Sequence, residues 1–196
     1  MTPDTITPLM PAPETSLLRE AYEAAQVILE YGIGGSTVMA SGMSGTTLFG
    51  VESDAAWAER VQAEAAGGLG DIRLHVVDIG AVGRWGRPKS AADWPKFHRY
   101  ATTVWDRADF VHPDIVLIDG VLRPACFAAC ALRITRPVTV LFDDYRDRRA
   151  YHAVERIVPP LLIEGRLAVF ELEPGMIGPA DLTLIQSLFG QVNYAD

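Results

Sequence analysis

A chain of 196 residues with 49% hydrophobic side chains is long enough for one domain with a sizeable core and short for two. Its formal net charge of −8 disfavours nucleic acid, whose phosphates need clustered lysine and arginine, and directs attention to small-molecule substrates. No apolar run approaches the roughly 18 residues that span a bilayer, and the N-terminus lacks the basic and apolar regions of a secretory signal, so a cytoplasmic protein with no membrane partner is expected.

In chain order, the Pro- and Thr-rich residues 1–15 read as a flexible lead-in to a single domain over 16–196. A helix is expected over 16–26, capped by Ser16, with Leu18, Tyr22 and Ala25 on one stripe. A short apolar strand follows at 27–31. Further strands are expected at 46–52, 72–78, 114–119 and 136–143, each mostly apolar and each ending on an acid. Between them, 94–107 places Phe97, Tyr100, Ala101, Val104 and Trp105 at helical spacing, with Pro95 in the first turn. Residues 123–134 repeat the device behind Pro124, with Cys126 and Cys130 inward as reduced core thiols.

A helix near 148–158 turns Tyr151, Val154 and Val158 inward. Pro159-Pro160 then breaks the pattern, and LLIEGRLAVFELEPG reads as a hairpin or pair of edge strands with Gly165 near its turn. The last segment, PADLTLIQSLFGQV, is amphipathic and would pack either on its own sheet or on a second subunit as a homodimer. Strands apolar on both faces and separated by crossover helices imply a parallel sheet covered on both sides. The expected fold is α/β, a doubly wound, mostly parallel Rossmann-like sheet with an antiparallel C-terminal edge.

The loop after the first strand carries the chemistry. In such sheets ligands bind beyond the carboxyl ends of the strands, beside the first. There Gly32 and Gly34 can take φ > 0 and let a backbone approach a ligand with no Cβ in the way, and Ser36-Thr37 can cap the next helix. The second strand ends at Glu52, twenty residues past Gly32, the separation at which an acid meets the ribose hydroxyls of a bound nucleoside. Ser53 or Asp54 would cap the following helix and leave Glu52 free. A dinucleotide loop, G-x-G-x-x-G, would want glycine where Thr37 stands.

The pattern E-x-G-x-G, here Glu30-Tyr31-Gly32-Ile33-Gly34, resembles the first motif of the class I S-adenosylmethionine (SAM) methyltransferases, and the resemblance runs over roughly residues 25–172. It implies that Glu30, Gly32, Gly34, Gly35 and Ser36 form the cofactor loop, that Glu52 binds the ribose, and that Asp78 lies near the adenine. The strands DIVLIDG and VLFDDY look like the macrocin-type metal-dependent O-methyltransferases, which implies Asp119, Asp143 and Asp144 as ligands of a Mg²⁺-type divalent cation. Carboxylates gathered at one rim would repel, and a hard cation would offset that and acidify a bound hydroxyl. Asp119, also placed at the cofactor, or His152 would serve as the base for methylation of a small-molecule hydroxyl.

Two readings compete with this one: an NAD-dependent oxidoreductase using the same loop and Glu52, and a nucleoside-binding protein that kept the fold without catalysis. Residues 82–94, with Trp85 among Arg84, Arg87 and Lys89, suit a substrate lid or an ordinary surface loop. Arg148, His152 and Glu155 or Arg156 share one helical face near the ligand rim, which suits either a solvated surface or substrate contact. His75, His98 and His112 share no metal-ligand spacing. Nothing resembles a nucleophile elbow or a Walker loop, against hydrolase and NTPase chemistry.

Overall fold

In the computed structural model, which describes residues 5–195, seven strands form one sheet in the order β3-β2-β1-β4-β5-β7-β6. The strands are β1 (Val27–Tyr31), β2 (Thr47–Glu52), β3 (Asp71–Val76), β4 (Ile115–Ile118), β5 (Val138–Phe142), β6 (Leu162–Glu164) and β7 (Leu167–Leu172). The first five are parallel, and β7 runs antiparallel between β5 and β6. The expected doubly wound sheet with an antiparallel C-terminal edge is therefore the observed one.

Among the described residues six α-helices cover it: α1 (Ala12–Ala24), α2 (Gly35–Ser41), α3 (Ala55–Ala65), α4 (Trp94–Thr102), α5 (Arg123–Arg133) and α6 (Leu182–Phe189). Alternation along β1 separates the two layers. Leu29 and Tyr31 join the core under α4, α5 and α6, whereas Ile28 joins Leu18 and Tyr22 of α1 and Ala40 of α2. Helix α5 is buried almost all round, from Pro124 to Ala131, because small alanines and the two free cysteines let it lie close to β4 and β5. The C-terminal helix packs on its own chain through Leu184 and Leu188.

Two boundaries differ from expectation. Helix α1 begins at Ala12, with Pro13 in its first turn, so Ser16 is interior and caps nothing. Residues 5–11, expected as part of a flexible lead-in, instead pack on the domain. Residues 149–156 form a 3₁₀ helix rather than an α-helix, which changes which side chains share a face.

The strand order reverses between β1 and β4, because β2 and β3 lie to one side of β1 and β4 and β5 to the other. That is where a crevice opens in a parallel sheet.

Candidate functional site

A cavity of about 740 Å³ sits over this crevice, lined among others by Gly32, Gly34, Glu52, Asp119, Asp143 and Arg166. Its volume lies within the range of small-molecule and cofactor sites.

The turn after β1 is held bare by its surroundings. Gly32 takes φ +89, and a Cβ there would fall on the backbone of Gly120. Hydrogen bonds lock the two strand ends in place: Gly32 donates to the Val51 carbonyl at 2.9 Å, and Asp119 to that of Tyr31 at 2.9 Å. Gly34, which is also free to take positive φ, has instead an extended backbone at φ 174. Gly35 must be glycine for another reason, because a Cβ there would meet the Thr7–Pro8 backbone.

Glu30 lies beneath the turn, fully buried and outside the cavity lining. Its carboxylate accepts the hydroxyls of Ser36 and of Thr37, the latter at 2.6 Å, and Thr37 in turn accepts the Gly34 amide at 2.9 Å. Glu30 thus shapes the loop from beneath, outside the cavity lining. Burial pushes its carboxyl up to about 7, against the pull of these hydrogen bonds. Thr37, at the third-glycine position of a dinucleotide loop, is committed to this network.

Glu52 ends β2 with its carboxylate divided. Oε1 accepts the amides of Ser53 at 2.6 Å and Asp54 at 2.9 Å. No hydrogen bond among the described residues falls on Oε2, and Glu52 lines the cavity. Burial raises its pKa, and the two amides hold it down. Asp54 caps α3, accepting from Ala56 at 3.0 Å and Trp57 at 3.2 Å, so capping and the free Glu52 oxygen coexist as expected. The Trp57 indole donates to the Ile33 carbonyl at 2.7 Å, pinning α3 to the glycine turn.

The acids ending β4 and β5 meet as expected, and arginines meet them. Arg123, 8% exposed, reaches Asp119 at 3.1 Å and Asp144 at 3.2 Å. Arg166 holds both oxygens of Asp143 at 2.9 Å, and Arg148 donates to Asp144 at 2.8 Å. Each carboxylate has a guanidinium within 3.2 Å. Among the described residues no group of three or more His, Cys, Asp or Glu is arranged to hold a metal ion. The donor set does not fit a divalent cation, because the charge it would supply is already there, and no step is derived through one. Burial drives Asp119 well above the usual carboxylate range; Arg123 opposes this and Asp143 adds to it.

Two expected site residues lie elsewhere. Strand β3 stops at Val76, and Asp78 beyond it accepts the Gly80 amide at 2.8 Å and pairs with Lys96 at 3.1 Å, exposed and away from the cavity. His152 stacks on the Tyr145 ring, centroids 4.6 Å apart, and also lies outside the cavity lining, while Tyr151 and Arg148 line it. The 82–94 loop does contribute: Trp85, at φ +64 and 60% exposed, lines the cavity, and Ser53 donates to the Gly86 carbonyl at 2.8 Å.

Sequence reasoning missed the segment Thr5–Met10, which forms one wall. Ile6 packs with Ile33, Ala58 and Val61, the Thr7–Pro8 backbone lies on Gly35, and Arg166 donates to the Leu9 carbonyl at 3.0 Å. Its pattern is neither helical nor alternating, so periodicity could not report it.

No protein-family model matches the chain, and no curated protein matches it. Among solved structures, a methyltransferase-like protein from Silicibacter pomeroyi is 44% identical, the match covering 94% of this chain and 97% of that one with a TM-score of 0.89. An O-methyltransferase from Bacillus cereus, solved in complex with SAH, is a distant likeness at 14% identity, covering 79% of this chain and 64% of that one with a TM-score of 0.48.

Proposed function

This chain belongs to the methyltransferase-like family of the Silicibacter pomeroyi protein, and from that premise we propose that it is a SAM-dependent methyltransferase acting on a hydroxyl of a small molecule. The observation that carries the proposal is the divided carboxylate of Glu52 beside the bare turn at Gly32: one oxygen is held by its own loop and the other is left for a ribose hydroxyl. When bound, SAM supplies an electrophilic methyl group.

The chain's own residues do the rest. Glu52 accepts from the sugar, while Gly34, in the cavity lining at the head of α2 and with no close neighbour where a Cβ would sit, leaves the ligand room. Asp119, at the far side of the crevice, takes the proton of the acceptor hydroxyl, and its raised pKa makes it a stronger base than an ordinary carboxylate. Thr5–Met10 and Trp85 wall the cavity and limit water. The contribution to rate is chiefly alignment of donor and acceptor. No helix among the described residues is long and apolar enough to cross a membrane, and the net charge of −8 supports a small-molecule acceptor over nucleic acid.

Equilibrium binding of labelled SAM, followed by transfer assays over a panel of small hydroxyl compounds, tests this. Binding with transfer to at least one compound supports it, and absence of binding by the folded protein overturns it.

A further inference from the structure

The rim of the crevice carries three carboxylates, Asp119, Asp143 and Asp144, from the ends of two adjacent parallel strands. Left alone they would repel, and each would be costly to keep ionised in so enclosed a place. Three guanidiniums answer them, and two are built for it. Arg123 opens α5, donates to the Gly120 carbonyl at 2.8 Å and the Asp143 carbonyl at 2.5 Å, and bridges Asp119 and Asp144. Arg166 comes from the β6–β7 turn and clamps Asp143, itself 1% exposed, through both oxygens. The position between the ends of β4 and β5, where a bridging cation would neutralise these acids, is thereby spanned by fixed positive charge.

We infer that Arg123 and Arg166 take the place of a divalent cation at this rim, so that the chain holds its acceptor-side carboxylates together without a metal ion. The same inference gives Arg166 a second task. Its Nη2 also donates to the Leu9 carbonyl, and its own amide donates to Glu14 of α1 at 3.0 Å, so the group that neutralises Asp143 fastens the N-terminal wall of the cavity. An ion taking Asp143 would release both. Arg166 is thus a positioning residue joining the rim to that wall. The bearing on catalysis rests on the methyl-transfer reading; the charge arrangement does not.

Manganese is the probe. The full chain is titrated with Mn²⁺ by electron paramagnetic resonance and calorimetry, as wild type, Arg166→Ala and Arg123→Gln. Arg166 is about a third exposed, so Arg166→Ala keeps the test open should Arg123→Gln fail to fold. Expected are no wild-type binding at millimolar Mn²⁺ and binding at least about tenfold tighter in Arg166→Ala, abolished by adding Asp143→Asn. Transfer by wild type should be unchanged by EDTA. Wild-type binding lost in Asp143→Asn would overturn the inference, as would an Arg166→Ala protein as silent as wild type. SAH calorimetry on the same samples keeps the cofactor reading separate: its failure would leave the manganese result standing.

Discussion

Gly32 and Gly120 face each other across the β1–β4 rim so closely that neither can carry a side chain: a Cβ on Gly120 would lie 2.8 Å from the Gly32 Cα, and one on Gly32 would fall on the Gly120 backbone. Two strand ends therefore meet as bare backbone under the ligand crevice.

Replacing Gly32 by alanine should cost more than the usual penalty for positive φ, because the loop must also move. The expected loss is about 2–4 kcal/mol by urea denaturation, with SAH affinity down more than about tenfold. Gly45 is the control. It takes φ +81 with nothing within 4 Å of where a Cβ would sit, so Gly45→Ala should lose only about 1 kcal/mol and bind SAH normally. Equal losses at both positions would contradict the close approach.

Glu30 makes stability depend on pH with a definite sign. Its folded pKa of about 7 lies above the ordinary 4.5, so the folded state binds the proton more tightly than the unfolded one. Its contribution is complete below pH 4.5 and declines as pH rises through 7, by about 3 kcal/mol. Glu30→Gln, which stays neutral, should flatten the stability difference between about pH 5 and about pH 8 relative to wild type. Parallel pH curves for the two proteins would show that this carboxyl is not protonated in the fold.

Asp119→Asn should lower the transfer rate by about 100-fold or more while leaving SAH affinity within about threefold, since the side chain acts on the acceptor. In wild type the rate should rise with pH through a value above the ordinary carboxylate range, because burial raises Asp119. A variant that loses cofactor affinity and rate together would move Asp119 to the cofactor side.

Deleting residues 1–10 should leave the sheet folded and speed SAH dissociation about tenfold in stopped flow, because one wall of the cavity goes with them. Ile6→Ala should give part of the effect through lost packing on Ile33 and Val61. Unchanged dissociation in both would mean that the segment covers a surface the ligand does not use.

The doubly wound sheet and its crevice were legible because strand and helix periods alternate cleanly, and the place of Glu52 in the cavity wall because its distance from Gly32 is a property of the βαβ unit itself. Contacts converging from distant segments were not. Arg123 reads as an ordinary helix start, and only the fold brings its partners from β4 and β5 to it. His152 lies outside the cavity lining for a geometric reason: at three residues per turn, Tyr151 and Val154 face inward together, and the neighbouring ring lands on Tyr145. Asp78 lies away from the cavity because β3 ends two residues early and an aspartate before Ile-Gly bonds its own turn.

Calorimetry of SAH with wild type and Glu52→Gln tests most directly whether Glu52 grips the cofactor's sugar. The substitution keeps an acceptor for the Ser53 and Asp54 amides and removes the charge presented to the sugar. Measurable wild-type binding is expected, with affinity lower by about 10- to 100-fold in the variant and the melting temperature little changed. Equal affinities, or no wild-type binding at millimolar SAH, would contradict it.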